Sequence, residues 1–385
     1  MNFIFVILVL VFVYFFLEQF RNKISENNFT NLGYLCIYHF IFGIYFYFFV
    51  KGDAIGYWRS SKKLTFEEFV HFFTDDQGTY FVLALNYLPA NVLNLSYFTG
   101  TMIYSLIGFV GLAYFYVIAI ELIPKNAKVN GYFLFPFLFF LPNLHFWSCG
   151  VGKDTLLFFC IAIFCYGLLV PTKRLHFILL GLILSYFVRP HITLFMLLGF
   201  GFAYFSGKKL SIYQRVFFFL TLIGVAIIIL PLVLKFSKIE EASLDSFQRF
   251  STNKVSLLSR SHTGSVINIS NSPLIVKIFS FLYRPFFFDI NSIPSLLAAI
   301  ENTILLFLTF KYFSKSPFQS FRNAPFLLQG MVYFLIIGTF TFSQSLGNLG
   351  IMIRMRNMFL PGLLIFFLWH FSYVQNDSDT DEGEI

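Results

Sequence analysis

Apolar runs close to helical length recur along this chain, at residues 3–17, 32–50, 101–123, 132–141, 155–170, 175–188, 192–205, 216–234, 293–310, 326–342 and 358–371. A backbone inside hydrocarbon has to satisfy its own N–H and C=O groups, and a helix of about 20 apolar residues does so across a core about 30 Å thick. With 57% of residues hydrophobic and 12% charged, the pattern predicts an all-α fold, a polytopic transmembrane helical bundle with about eleven membrane helices. Several runs are short for that thickness and have to borrow flanking residues or sit where the layer is thin. Two further stretches, 80–98 and 274–289, are interrupted by Pro89 or Pro285 and by polar residues. They read as re-entrant or interfacial helices.

No period of 20 to 50 residues repeats, so residues 1–374 are expected to form one integral-membrane domain. Residues 375–385 are polar and acidic and are expected to be a disordered cytoplasmic tail. Five of the nineteen acids lie there, so the residues before them, which hold all 27 Lys and Arg, carry +13 against +8 for the whole chain. A body that basic suits anionic lipid headgroups or a phosphate-bearing substrate, and nothing in it points to nucleic acid. The first 17 residues have no basic n-region and no cleavage signature, which predicts a retained membrane helix. Cys36, Cys149, Cys160 and Cys165 show no CxxC pair and no histidine at metal spacing, so neither a metal site nor a disulfide framework is expected, and no cofactor is called for.

Short loops set the orientation. Arg21, Lys23, Lys125, Lys128, Lys173, Arg174, Lys208, Lys209, Arg215, Lys311, Lys315 and Arg322 fall in one set, and only Lys153, Arg189, Arg354 and Arg356 in the short loops of the other. The first set is therefore expected in the cytoplasm. Two long loops, 51–100 and 235–292, belong to the outer set and obey the rule poorly because of their length.

On this topology five polar islands share the outer face. The central one runs from Leu141 to Thr155 and holds His145, Trp147, Gly150, Gly152, Lys153 and Asp154 between two apolar runs. It is not a phosphate loop, because GxxxxGK[ST] would need Gly at Trp147 and Ser or Thr at Asp154. A glycine turn opening a helix near Asp154 is a workable anion seat with Lys153 beside it, or Asp154 is simply the N-cap. Asp53, followed by Tyr57 and Trp58 after the second run, suits a general base beside a sugar-stacking platform, or is a turn acid in an aromatic belt. Arg189-Pro190-His191 divides two runs at a tight hairpin and offers bidentate phosphate contact and a proton donor or acceptor. Arg284-Pro285 with Asp289 repeats the Arg-Pro pattern, and Glu301 follows within the next run. An ionisable group at that depth is a site candidate or a hydrogen-bonded structural acid. Arg354 and Arg356 head the last run, as a diphosphate clamp or as headgroup anchors.

In these islands, through GDAIGYW at 52–58, HFWSCGVGKD at 145–154, RPH at 189–191, YRPFFFD at 283–289 followed by Ile300-Glu301-Asn302, and RMRNMFLP at 354–361, the chain resembles bacterial membrane proteins of surface-polysaccharide gene clusters, the O-antigen and capsule polymerases and the EpsG-like family. The resemblance implies transfer of a polyprenyl-diphosphate-linked oligosaccharide to the next lipid-linked repeat unit, without a metal, on the extracytoplasmic face of the bacterial inner membrane. It implies dependence on outer-face arginines, matched here by Arg189, Arg284, Arg354 and Arg356. The very large periplasmic loop of some relatives has no counterpart in this chain.

The expected site assigns Asp53, His191 or Glu301 as the catalytic base. Lys153, Arg189, Arg284, Arg354 and Arg356 hold the diphosphate, and Trp58, His145, Trp147 and Asp289 line the sugar. Expected partners are the lipid-linked oligosaccharide, membrane lipids, and a chain-length regulator or other polysaccharide-assembly proteins. Two alternatives stand beside the polymerase: a multi-spanning glycosyltransferase using polyprenyl-phosphate sugars, and a lipid-glycan transporter or structural membrane protein.

Overall fold

The computed structural model describes residues 1–50, 52–123, 126, 128–206, 213, 216, 220, 224, 227, 231, 265–267, 269 and 272–381. It is 79% helical and nearly all-α, and the sheet among the described residues is a two-residue hairpin, β1 (Lys128–Val129) antiparallel to β2 (Tyr132–Phe133). Contacts divide the chain into two compact units, Met1–Glu121 with Leu144–Pro190, and Leu122–Asn143 with His191–Ile385.

Among the described residues four helices are long and apolar enough to cross a membrane: Glu26–Phe49, Tyr97–Leu122, Ile293–Phe313 and Phe326–Ser345. A fifth crossing arises if Leu349–Arg356 and Leu360–Gln375, bent by 60°, act together. This corrects the expected eleven. Runs 3–17, 155–170 and 192–205 fold into helices of 17, 17 and 16 residues, each below the roughly 20 residues a full crossing needs. Run 132–141 becomes β2 and a 3-10 turn over Phe137–Phe140. Run 216–234 lies outside the described residues apart from isolated positions.

The first unit holds α1 (Asn2–Glu18), α2 (Glu26–Phe49), α3 (Asp53–Ser61), α4 (Phe66–Thr74), α5 (Thr79–Leu85), α6 (Tyr97–Leu122, to Glu121), most of α7 (Pro142–Phe146), α8 (Lys153–Leu169) and α9 (Pro171–Val188). Its centre is α6, with 72% of its apolar window buried against 33% for α2. The stretch expected to be re-entrant or interfacial at 80–98 resolves into α5, a π-helical turn at Tyr87–Val92 around Pro89, and the start of α6. Helices α8 and α9 lie against each other along their length. A Cβ on Gly181 would stand 2.7 Å from the Cys160 carbonyl oxygen, so only glycine lets the two backbones approach there, a small-residue contact typical of helices packing in lipid.

The second unit holds α10 (Pro190–Phe205, from His191), α11 (Leu274–Tyr283), α12 (Ile293–Phe313), α13 (Pro317–Asn323), α14 (Phe326–Ser345), α15 (Leu349–Arg356) and α16 (Leu360–Asp381). Helix α11 has ten residues and stops at Arg284-Pro285, as expected where proline forces the residue before it out of the helical region. Ser292 caps α12 through the Ser295 N–H, and Asn348 caps α15 through the Ile351 N–H at 3.2 Å, each satisfying an orphan donor of a first turn. Helix α16 runs on to Asp381, overlapping the stretch from Gln375 expected to be disordered, and 382–385 lie outside the described residues.

Candidate functional site

In the first unit the glycine turn of the central island opens α8 one residue earlier than the sequence reading placed it. Gly152 is the N-cap, with φ near +150°, a conformation L side chains rarely adopt, and Lys153 is the first helical residue. Asp154 is therefore not the cap. It lies in the first turn, where the helix dipole favours an anion, and its carboxylate meets the Arg189 guanidinium at 3.2 Å, each side chain 11% exposed. Arg189 reaches it because α9 ends at Val188. Pro190 holds Arg189 extended (φ −156°, ψ 96°), and the Arg189 N–H closes the helix on the Ser185 carbonyl.

Beside that pair the Lys153 ammonium donates to Thr79 Oγ1 at 2.9 Å and stands 5.8 Å from the centre of the Tyr57 ring. Four elements thus meet here: α3 through Tyr57, α5 through Thr79, α8 through Lys153 and Asp154, and the end of α9 through Arg189. Thr79 had no part in the sequence reading. Its only signal was Gly78-Thr79 as a helix start, a local feature with no hint of Lys153. Asp53 is the first residue of α3 and is exposed, and it shares a helix face with Tyr57 four residues on.

Of the three expected sugar contacts in this unit, Trp58 and His145 are engaged in packing. Trp58 is 1% exposed, donates its indole N–H to the Leu95 carbonyl at 3.2 Å, and lies where a Cβ on Gly100 would clash with its ring. The ring is packing, not a platform. His145 is fully buried, with Nδ1 at 3.2 Å from His39 Nδ1, so one ring donates and the other accepts. Its partner His39, in the middle of an apolar helix, escaped the sequence reading. Trp147 is partly exposed and meets Phe146 edge-on.

In the second unit Arg356 is 2% exposed. Its guanidinium donates to the Phe281 carbonyl at 3.3 Å, to the Leu282 carbonyl, and to Asn302 Oδ1. Phe281 and Leu282 belong to the last turn of α11, whose carbonyls have no helical partner, so the arginine caps that helix from outside. Asn302 in turn donates to the Pro285 carbonyl at 2.8 Å. One turn of polar chemistry in α12 therefore fastens the end of α11 to the end of α15. Glu301, fully buried beside Asn302, accepts the Asn143 backbone N–H at 2.9 Å.

Arg284 is engaged as well. Its Nε donates to Asp289 Oδ2 at 3.0 Å and its Nη2 bonds the other carboxylate oxygen, while Asp289 also accepts the Phe286 N–H at 2.9 Å. Burial pushes the Asp289 carboxyl up, but the Arg284 hydrogen bond, the Phe286 N–H and the Arg284 charge together hold it below the ordinary carboxylate value. The pair staples the turn between α11 and α12, so Arg284 and Asp289 serve each other where a diphosphate ligand and a sugar contact were expected. His191 packs edge-on against Phe195 and Phe342. Arg354 lies in the last turn of α15, partly exposed.

No protein-family model, curated protein or solved structure matches this chain. The candidate site consequently rests on its own geometry: one mixed-charge group in the first unit, and one buried capping network with a separate ion pair in the second.

Proposed function

We propose that this chain is a bacterial inner-membrane polymerase of surface-polysaccharide repeat units, acting on polyprenyl-diphosphate-linked glycans at the extracytoplasmic face. The observation that carries the reading is the Lys153–Asp154–Arg189 group. Lys153 opens α8 after a glycine turn, and its neighbour Asp154 holds Arg189 from the end of α9 without burying it completely. Such a group suits a diphosphate leaving group, whose charge grows as the glycosidic bond breaks. Asp53 is the base this reading prefers over His191 and Glu301. It is exposed and shares a helix face with the ring beneath Lys153, whereas Glu301 is fully buried in a structural network.

In this mechanism Asp53 takes the proton of the attacking sugar hydroxyl, and Lys153 and Arg189 stabilise the departing diphosphate. Arg284 and Arg356, bound to Asp289 and to helix carbonyls, act on the fold and not on the substrate. A chain-length regulator or other assembly proteins belong to the same reading as partners. Cells carrying Arg189→Ala are expected to accumulate single repeat units with normal amounts of membrane-inserted protein, and long polymer in those cells would remove Arg189 from the site. A second reading, a glycosyltransferase using monosaccharide carriers with Asp53 as base, draws on the same exposed acid. Supplying purified protein with monosaccharide or oligosaccharide carriers separates the two.

A further inference from the structure

A partly open cavity of about 260 Å³ lies within the first unit, lined by residues of α5, α6, α8 and α9 and of the π-helical turn. None of its lining residues is charged, so the cations and acids of the candidate site take no part in it. Hydrocarbon walls that include Phe81, Ile107, Phe159 and Val188 are interrupted by one strongly polar pair, Asn86 and Tyr104. The Tyr104 hydroxyl donates to Asn86 Oδ1 at 2.9 Å. Asn86 is 1% exposed, and its Nδ2 donor meets no acceptor among the described residues.

The chain around Asn86 does not account for that donor. Asn86 closes α5 and precedes the π-helical turn. Its N–H bonds the Val82 carbonyl at 3.1 Å and its carbonyl takes the Ala90 N–H at 2.8 Å. The backbone on both sides is therefore satisfied, and the side chain is not spent on it as asparagines at helix breaks usually are. A buried donor without a partner costs about 1–3 kcal/mol, and short π-helical turns recur at functional sites.

The lining selects the chemistry of an occupant. A charged ligand would enter without a counter-charge, and a pure hydrocarbon would leave the amide unmet. A hydroxyl meets both demands. Its oxygen accepts from Asn86 Nδ2, and its hydrogen goes to the Tyr104 phenol oxygen, which can accept while it donates. At roughly 30 Å³ for a water-sized group, the space takes about nine heavy atoms, the size of octanol. A single water would satisfy the amide and leave most of that apolar volume unfilled.

We propose that this cavity is a binding site for a neutral, hydrocarbon-bodied alcohol whose hydroxyl lies between Asn86 and Tyr104.

Photolabelling of the full chain in lipid nanodiscs with a diazirine-bearing octanol tests the site, beside diazirine-bearing octane and octanoate. The octanol is expected to label peptides that hold Ile103 to Ile107 or Leu156 to Cys160. Octane and octanoate should label them about tenfold less, the effect of one buried hydrogen bond or more. The same loss is expected for the octanol in Asn86→Leu, which removes the donor. Leu184→Phe fills the cavity from a partly exposed position and should lower the label equally while leaving the thermal unfolding curve unchanged. Label spread evenly over the lipid-facing helices, or unaltered in both variants, overturns the site, as does the absence of label, which would mean a cavity holding water alone. Equal labelling by octane overturns the hydroxyl. Displacement of the label by dioctanoylglycerol supports a lipid alcohol as the occupant, and its persistence supports a free one. The readout needs no glycan, so a failure of this site and a failure of the polymerase reading are seen separately.

Discussion

The two units hold similar cations and treat them in opposite ways. In the second, Arg356 is buried and its guanidinium is engaged by two carbonyls and an asparagine, and Arg284 is bound through both arms of its fork to Asp289. In the first, Arg189 keeps 11% of its side chain exposed and meets the Asp154 carboxylate at 3.2 Å, and Lys153 reaches Thr79 at a site of intermediate exposure. An arginine beside a proline in the sequence thus means two things. Arg189-Pro190 ends a helix and delivers a cation to the start of another helix. Arg284-Pro285 ends a helix and ties down the turn that follows.

The largest effect that would test this contrast is on stability in the second unit. Arg356→Ala should strip the cap from α11 and orphan Asn302, lowering the stability of the detergent-solubilised protein by about 3–5 kcal/mol. Arg356→Lys should fail to restore it, because an ammonium cannot span those acceptors as a planar fork does. Thermal unfolding followed by helical signal reads both variants, and full stability in Arg356→Ala would erase the distinction between the units. Next in size, Arg189→Ala should cut polymer formation about 100-fold while leaving the unfolding curve close to that of the unaltered protein. A parallel collapse of stability would make Arg189 a second structural arginine.

A smaller effect is expected from Arg284→Ala, about 1–3 kcal/mol, since the Asp289 carboxylate keeps the Phe286 N–H. Its pH dependence sharpens the point. Because the folded Asp289 is held below the ordinary value of 3.8, its stabilising contribution is complete above that value and is lost as pH falls through the lower folded one. Melting temperatures taken from pH 6 downward should therefore fall more steeply in the unaltered protein than in Asp289→Asn. Trp58→Phe stands at the small end, costing about 1 kcal/mol for the lost bond to Leu95 with activity retained, and loss of activity alone would return Trp58 to the sugar site.

Part of the fold was legible in particular residues. Hydrophobic runs of adequate length named the four helices long and apolar enough to cross a membrane among the described residues, because at α6 (Tyr97–Leu122) and α14 (Phe326–Ser345) the run and the helix nearly coincide. The count of eleven was too high because hydrophobicity reports exclusion from water and not its destination. Run 155–170 is apolar because α8 is buried within its unit from Asp154 to Gly167 apart from Phe159, and burial in protein leaves the same mark as burial in lipid. Polar islands were legible too, but their partners were not. Asp154 and Arg189 are 35 positions apart, Arg356 and Asn302 54, and no local pattern ties such pairs together.

Residue chemistry alone sets the class of the molecule: helical, apolar enough for a membrane, with helix ends set by Gly152, Pro190, Pro285, Ser292 and Asn348. These follow from short-range sterics and from the hydrogen bonding of a backbone with little access to water. Packing settled which cations became part of the framework and which came to the start of α8. A guanidinium's role depends on the acceptors within about 3 Å of it, and those acceptors come from distant parts of the chain, brought there by packing.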